Sequence, residues 1–380
     1  MEKLQKKDRI NIILKPTNYC NMRCIYCFHQ EYGYENNLIK LEYITKLFDL
    51  LSRQYYTVFI LWHGGEPTSI GLDNFKKYIS IQKEFARKNN AIFENSIQTN
   101  LTNINDEWLA FFKDNYFNIG TSFDGLSNDI TRKNTALFLD KRKKTLEFGY
   151  KIGAICVISK KNIHSLLENY KWFNANSFSV NFNPYITADS SDFLYVDRQT
   201  YADEMLKMFE YWIDDTDCCI HVNPFENLIY AYFKQEFRVC TFGSCLSHWL
   251  CIEPNGNIFP CDKSFDENYC LGNISNIEKI EDVYNSNSFL SILKESIKRR
   301  NLCISSCKWF KYCHGGCNHD AFICGDISKN NHYYCLIYKD FFQYIETYVK
   351  PKLEKEIVKN PILRSILYNL DSIPFKNSNA

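Results

Sequence analysis

From Ile10 to about Tyr185 the chain alternates short apolar runs with longer amphipathic ones, and this alternation constrains the fold more than any other feature. The apolar runs are Ile10–Leu14, Val58–Trp62, Asn95–Thr99, Phe117–Ser122, Ile152–Ile158 and Phe178–Asn183. Helical patterns lie between them, near Glu42–Arg53, Leu72–Arg87, Asp106–Lys113, Leu137–Phe148 and Ile163–Phe173, and Arg198–Trp212 follows the sixth run. Strands alternating with helices of this length predict parallel βα units with helices outside the sheet. Six units are too few to close an eight-stranded barrel and fit a partial one. The expected fold class is therefore α/β, with a partial (β/α)6 TIM barrel whose chemistry gathers in the loops at the strands' C-terminal ends.

The first such loop carries Cys20, Cys24 and Cys27, spaced C-x3-C-x2-C directly after Ile10–Leu14. A 4Fe–4S cluster normally takes four thiolates. This loop offers three, and the next cysteine is Cys156. A cluster on three thiolates leaves one iron open to bind a small molecule. A zinc knot and a chance cluster of thiols are the other readings. The loop after the second run reads Trp62-His63-Gly64-Gly65-Glu66-Pro67. Paired glycines let backbone approach a ligand closely, and Glu66 can accept hydrogen bonds from an ammonium group.

With 380 residues, 45% of them hydrophobic, the chain can bury a large core in one large or two ordinary domains. Its 45 basic and 44 acidic side chains leave a net charge of +1, which gives no electrostatic case for nucleic acid or an anionic membrane as partner. No run approaches the roughly 20 apolar residues of a membrane span, and Met1–Arg9 is too charged for a secretory signal. Seventeen cysteines in such a chain point to metal or redox use of thiols in a reducing cytoplasm rather than to a disulfide framework.

The cysteine triplet, with aromatic Tyr26 before its third member, and Gly64-Gly65-Glu66-Pro67 one βα unit later together resemble the radical S-adenosylmethionine (SAM) enzymes. The resemblance implies that Cys20, Cys24 and Cys27 hold a 4Fe–4S cluster and that Tyr26, Gly64, Gly65 and Glu66 belong to the SAM site. The Gly-Gly-Glu-Pro motif would meet the amino group of SAM. Ser122 and Arg132 would bind its ribose and carboxylate, and the backbone of Val157-Ile158-Ser159 would border its adenine. Turn chemistry is the other reading of Ser122 and Asp124. His63 either faces substrate or satisfies a loop hydrogen bond.

Asp214–Cys219 breaks the βα rhythm, and His221–Phe237 looks helical in part. Beyond it come Cys240-x4-Cys245, then Cys261, then Cys303-x3-Cys307-x5-Cys313, Cys317 and Cys335. Glu253-Pro254-Asn255-Gly256-Asn257 reads as a hairpin turn between short strands. This segment resembles the SPASM extension of peptide-modifying radical SAM enzymes, a cysteine-rich domain with a β-hairpin and short helices. The resemblance implies two auxiliary 4Fe–4S clusters, one on Cys240, Cys245, Cys261 and Cys317, the other on Cys303, Cys307, Cys313 and Cys335. A zinc-ribbon-like domain is the alternative. Cys303-x3-Cys307 is one residue longer than the family's usual spacing. Cys156, Cys251, Cys270 and Cys324 fit neither set and are expected as buried core thiols, and the Cys218-Cys219 pair as incidental. The expected partition is 1–235 for the barrel, 236–345 for SPASM, and 346–380 for a helix and frayed tail.

Over nearly its whole length the chain also resembles the anaerobic sulfatase-maturating enzymes. That resemblance makes Asp262, next to Cys261, a catalytic base; a hairpin Asp making turn hydrogen bonds is the other reading. His63 stands where sulfatase maturases more often carry Gln. This favours a short ribosomal precursor peptide as substrate, giving a C–C or thioether crosslink or an oxidised residue. Maturation of a sulfatase Cys or Ser to formylglycine ranks second. A non-enzymatic metal-binding interaction protein and an enzyme acting on a small sugar or cofactor precursor remain open. Expected partners are a peptide or protein substrate and a one-electron donor such as flavodoxin or ferredoxin.

Overall fold

The computed structural model describes residues 6–29, 37–243, 245–263, 266–355 and 358–368. The tail expected beyond Tyr368 lies outside them. The strands are β1 (Lys7–Leu14), β2 (Tyr55–Trp62), β3 (Ile92–Thr99), β4 (Asn118–Ser122), β5 (Ala154–Ile158), β6 (Val180–Pro184), β7 (Val222–Asn223), β8 (Trp249–Ile252), β9 (Asn257–Phe259) and β10 (Gly272–Asn273). Each of the six expected runs is a strand, and helices Leu41–Gln54, Leu72–Asn89, Asp106–Asp114, Thr135–Glu147, Leu166–Ala175 and Arg198–Asp214 follow them in turn. The first three strands begin three residues before the apolar pattern does. Those leading residues include exposed Lys7, Asp8, Arg9, Tyr56 and Ile92, so burial does not imprint them.

The chain divides into two compact units. The first comprises residues 1–121, 134–152 and 245–294. Its strands follow the order β10-β9-β8-β1-β2-β3-β4. β1 to β4 are parallel to their neighbours, and β8 pairs parallel with β1, Asn11 opposite Trp249 and Leu14 opposite Ile252. β9 turns back antiparallel to β8 through the Glu253–Asn257 turn, where Gly256 N–H donates to the Glu253 carbonyl at 2.9 Å with φ +85°. The cysteine-rich segment thus starts by extending the sheet of the first strand. Ile13, Cys251 and Phe259 pack together across this junction.

β2 shows why the sheet forms where it does. Its apolar side chains are buried on alternate positions, and Trp62 at its end is fully buried. Phe48, from Leu41–Gln54, meets the Trp62 ring edge-on at 6.4 Å, and Phe75, from Leu72–Asn89, lies 4.7 Å from it. Two helices are thereby locked onto one face by aromatic burial. A polar knot sits inside: Trp62 Nε1 donates to Asn95 Oδ1 at 2.9 Å, and Asn95 and Gln82 exchange amide bonds at 2.8 and 3.1 Å.

The second unit comprises residues 122–133, 153–244 and 295–380. It holds β5, β6 and β7 as parallel neighbours. Its core centres on Phe209, Trp212 and Phe225, with Phe225 4.7 Å from Phe209 and Phe341 of Tyr333–Tyr344 closing the cluster at 6.1 Å from Phe209. All 17 cysteines are free thiols, and no helix among the described residues is long and apolar enough to cross a membrane. Cys156 and Cys251 are buried as expected, but Cys270 and Cys324 are only half-buried, because each sits at the end of a short helical turn rather than inside a strand.

Asn95→Ala removes the common partner of Trp62 and Gln82 and leaves both buried donors unpaired. Denaturation of the metal-free protein is expected to show a loss of about 2–4 kcal/mol. Adding Trp62→Phe, which deletes the orphaned indole N–H, is expected to cost less than the sum of the two single changes.

Candidate active site

The cysteine loop is the connection that follows β1. Cys27 N–H donates to the Cys24 carbonyl at 3.1 Å, and Ile39 N–H to the Pro16 carbonyl at 2.9 Å. Cys24 is buried, while Cys20, Tyr26 and Cys27 are half-buried. Cys20 Sγ accepts from Met22 N–H at 3.4 Å and from the Asn100 side-chain amide at 3.8 Å. Burial pushes the Cys20 thiol up to about 12; the Met22 bond opposes this, and nearby Glu66, Cys24 and Cys27 add to the rise. Thiols crowded in this way stay protonated unless a cationic centre takes them as thiolates. Two N–H donors on a ligand sulfur suit that state. No three His, Cys, Asp or Glu side chains among the described residues converge on a single metal ion. A cubane takes each thiolate on a different iron, so its ligands stand farther apart than those of one zinc. The donor set fits an iron–sulfur cluster.

The loop after β2 lies on the cysteine loop through backbone alone. His63 N–H donates to the Leu14 carbonyl at 3.0 Å, Gly65 N–H to that of Thr17 at 3.1 Å, and Glu66 N–H to that of Tyr19 at 2.8 Å. A Cβ on Gly65 would stand 2.2 Å from the Tyr19 carbonyl oxygen, and one on Gly64, where φ is +111°, 2.6 Å from that of Thr17. The close approach that the glycines permit is therefore to the chain itself. Glu66 is buried; its Oε1 accepts from Thr68 N–H (3.0 Å), Thr68 Oγ1 (2.6 Å) and Thr99 Oγ1 (2.8 Å), and its Oε2 from Asn100 N–H (2.7 Å). Burial pushes its carboxyl up, and those bonds pull it back. A carboxylate has room for about four hydrogen bonds, so Glu66 spends its capacity bracing the loop after β2 against the loop after β3.

Lys15, the first residue past β1, is wholly buried. Its Nζ donates to Glu253 Oε1 at 2.6 Å and to the Asp262 carbonyl at 3.0 Å. Burial disfavours the Lys15 charge, but the Cys251 sulfur and the Glu253 and Asp262 carboxylates outweigh it and raise its pKa above the ordinary value. For Asp262 burial would raise the carboxyl, yet His63, Lys263 and Lys15 hold it down to about 2, with a further bond from Cys261 Sγ at 3.2 Å. Burial pushes His63 itself below its usual range, and Asp262 opposes that shift. His29 is pushed down to about 2 by burial, helped by Lys15 and His63. Its ring lies 6.4 Å from that of His63. Asp262 is thus held as a carboxylate by His63, Lys263 and Lys15, in the same unit as the cysteine triplet.

Ser122 and Arg132 belong to the second unit. Asp124, beside them in sequence, is buried, accepting from Val157 N–H at 2.9 Å and from Thr131 Oγ1 at 2.6 Å. The backbone of Val157-Ile158-Ser159, expected along the adenine, also bonds within the chain: the Val157 carbonyl accepts from Asn162, the Ile158 carbonyl from Tyr185 N–H, and Ser159 N–H donates to Asn162. A contact there would rest on carbonyl lone pairs and on van der Waals packing.

Cys303, Cys307, Cys313 and Cys335 share one neighbourhood in the second unit: burial raises the Cys313 thiol to about 12, and the other three sulfurs add to the rise. The long Cys303-x3-Cys307 spacing has a simple cause. Cys303 lies in the helix Asn287–Ser306 and Cys307 one turn on, its N–H donating to the Cys303 carbonyl at 2.9 Å. Of the other set, Cys240 and Cys317 both lie near half-buried Tyr338, while Cys245 and Cys261 belong to the first unit.

Sequence reasoning missed Lys15, Glu253, His29 and the Thr99-Asn100 brace. A lysine closing an apolar run was a signal that went unused. Lys15→Met is expected to destabilise the metal-free protein by about 3–5 kcal/mol, because it strands Glu253 in the interior. Adding Glu253→Met is expected to recover most of that loss in the same denaturation experiment.

Comparison with known proteins matches residues 14–172 to the radical SAM superfamily and residues 240–318 to SPASM, an iron–sulfur cluster-binding domain. The cysteine-type anaerobic sulfatase-maturating enzyme of Clostridium perfringens is 27% identical over 361 residues, 88% of this chain and 96% of that protein. The serine-type enzyme of Bacteroides thetaiotaomicron is 24% identical, with 94% of each chain covered. Among solved structures, native anSMEcpe with bound AdoMet and Cp18Cys peptide superposes with a TM-score of 0.79 at 24% identity, over 95% of this chain and 99% of that one. Streptococcus suis SuiB bound to precursor peptide SuiA gives 0.60 at 18% identity, over 86% and 76%. These likenesses confirm the α/β partial barrel followed by a SPASM domain. The chain is a radical SAM enzyme with a C-terminal SPASM domain, whose cofactors are SAM and 4Fe–4S clusters.

Proposed function

We propose that this enzyme oxidises the Cβ of a cysteine or serine in a peptide segment of a sulfatase to the aldehyde of formylglycine. The observation that carries the proposal is half-buried Asp262, held as a carboxylate by His63, Lys263 and Lys15 in the unit that bears the cysteine triplet. The full-length relatedness to sulfatase-maturating enzymes of both types supports it. It also reverses the order expected from sequence, where a crosslinked precursor peptide came first. His63 before the glycines still favours that second reading. The likeness to SuiB speaks to fold only.

In this reading Cys20, Cys24 and Cys27 hold the SAM-binding cluster, and Cys303, Cys307, Cys313 and Cys335 an auxiliary one. Cys240, Cys245, Cys261 and Cys317 hold a third, the set that the resemblance to SPASM domains implies. Ser122, Arg132 and Tyr26 serve the SAM site, and Gly64, Gly65 and Glu66 shape the loop over it. The proposed boundaries remain 1–235, 236–345 and 346–380. When bound, these groups supply a 5′-deoxyadenosyl radical that removes a hydrogen atom and acceptors for the second electron. Asp262 takes the proton from the target thiol or hydroxyl. A carboxylate held near 2 is a weak base toward a thiol or hydroxyl, so the proton leaves together with the second electron, and the C=S or C=O bond that forms drives the combined step. Serine loses two hydrogens and becomes the aldehyde directly. Cysteine becomes a thioaldehyde, which water converts to the aldehyde with release of hydrogen sulfide. A flavodoxin or ferredoxin in a reducing cytoplasm is the proposed electron source.

The test incubates reconstituted enzyme, SAM and a one-electron reductant with sulfatase peptides bearing Cys or Ser at the target position. A hydrazine-trappable aldehyde at that residue is the expected product. SAM cleavage with no aldehyde on either peptide, and a crosslink formed in a small precursor peptide, would give the second reading. Cys24→Ala is expected to abolish 5′-deoxyadenosine. Asp262→Asn is expected to keep 5′-deoxyadenosine formation while lowering aldehyde formation by roughly 100-fold or more. Equal loss of both would remove Asp262 from the role of base.

A further inference from the structure

Asn100, the first residue past β3, is 7% exposed and reaches three neighbouring segments. Its backbone N–H donates to Glu66 Oε2 at 2.7 Å. Its Oδ1 accepts from Thr102 N–H at 3.0 Å and from Thr102 Oγ1 at 2.7 Å. Its Nδ2 donates to Asn21 Oδ1 at 2.8 Å and to Cys20 Sγ at 3.8 Å. The loop after β2, the loop after β3 and the cysteine loop therefore meet at this one residue, all within the first unit.

The sense of the amide is fixed by its partners. A backbone N–H only donates, so the end of the side chain that faces Thr102 N–H is the oxygen, and the end that faces Cys20 is the NH2 group. One hydrogen of that group goes to Asn21. The Asn21 amide is oriented in turn, its own Nδ2 donating to Thr102 Oγ1 at 2.7 Å and to Asn103 Oδ1 at 3.1 Å, which leaves its oxygen toward Asn100. The other hydrogen of Asn100 is directed at the sulfur. Met22 N–H donates to the same sulfur at 3.4 Å, so Cys20 takes one donor from its own loop and one from the loop after β3.

When a cysteine binds iron as thiolate, a donor to its sulfur becomes charge-assisted, and such bonds are shorter and about twice as strong as neutral ones. Hydrogen bonds to the sulfurs help to set a cluster's reduction potential. Reduction adds negative charge that spreads onto the ligand sulfurs, so a fixed donor there stabilises the reduced form more than the oxidised one.

We propose that Asn100 is a positioning residue for the cluster on Cys20, Cys24 and Cys27: its side-chain amide, held in one sense by Thr102, donates to the Cys20 sulfur and raises that cluster's reduction potential, while its backbone N–H ties the same residue to the Glu66 loop. This rests on the reading that these three cysteines hold the SAM-binding cluster, which Cys24→Ala tests separately. A paramagnetic signal that responds to added SAM and survives in Cys24→Ala would remove that reading, whatever the Asn100 variants do.

The experiment reconstitutes the full chain anaerobically, unaltered and as Asn100→Leu, Asn100→Asp and Asn21→Ala, and follows the clusters by electron paramagnetic resonance through a redox titration. The SAM-binding cluster is the one whose signal changes when SAM is added, and the others serve as internal reference. Asn100→Leu keeps the shape of the side chain and removes the donor. Its reduced-to-oxidised ratio at a given potential is expected to fall by roughly threefold or more, about 28 mV for one electron at about 59 mV per decade. Asn100→Asp keeps the acceptor for Thr102 N–H and replaces the donor with a negative charge, so a larger fall is expected. Asn21→Ala removes a neighbour of the same amide but leaves the donor to sulfur, and its ratio is expected to stay within threefold of the unaltered enzyme. A fall of less than threefold in Asn100→Leu, an equal shift of every cluster, or a fall of threefold or more in Asn21→Ala would overturn the proposal. If Asn100→Leu binds too little iron to titrate, Asn100→Asp decides it against the same threshold.

Discussion

A lysine ammonium buried at the end of the first strand holds this site together. Lys15 bonds Glu253 at the end of β8 and the Asp262 carbonyl beyond β9. Burying an ion pair brings little net stability, since desolvation takes back most of the attraction. What it does supply is discrimination: only one placement of the β8–β9 hairpin against β1 satisfies both charges. A one-residue slip in the pairing of β8 with β1 would turn Glu253 away from Lys15. The pair therefore fixes register, and register fixes where Asp262 stands relative to the loop that begins at Lys15.

The remaining links are backbone contacts that only particular residues allow. The turn after β2 reaches the cysteine loop because Gly65 has no Cβ to meet the Tyr19 carbonyl. The loop after β3 is joined to that turn through Glu66, whose carboxylate collects donors from Thr68, Thr99 and Asn100. Asn100 then reaches Cys20 Sγ. Three successive βα loops become one braced surface around the thiols, which is the preorganisation that radical chemistry requires if the reactive species is to meet only its substrate.

Much of this was legible in the sequence, because strands and metal loops leave periodic marks. The six apolar runs, the triplet spacing and the Gly-Gly turn each depend on neighbours a few residues away. What stayed hidden depends on residues far apart in the chain. Nothing near Lys15 names Glu253 as its partner 238 residues later, and nothing near Trp249 indicates that β8 pairs with β1. Glu66 was legible as an acceptor but not as one already filled by its own chain. The spacing of Cys303 and Cys307 did not show that Cys303 stands near the end of the helix Asn287–Ser306, where a four-residue offset is about one turn. The preference for a crosslinked peptide rested on His63 alone, and one side chain beside a turn weighs less than relatedness along 88% of the chain.

The central claim is that the cysteine triplet and Asp262 serve one reaction at one carbon. The most direct measurement uses a sulfatase peptide deuterated at Cβ of the target cysteine or serine and follows the isotope by mass spectrometry. Deuterium appearing in 5′-deoxyadenosine in step with the aldehyde is the predicted result. An aldehyde formed without deuterium in 5′-deoxyadenosine, or labelled 5′-deoxyadenosine accompanied by a crosslink in place of the aldehyde, would contradict it.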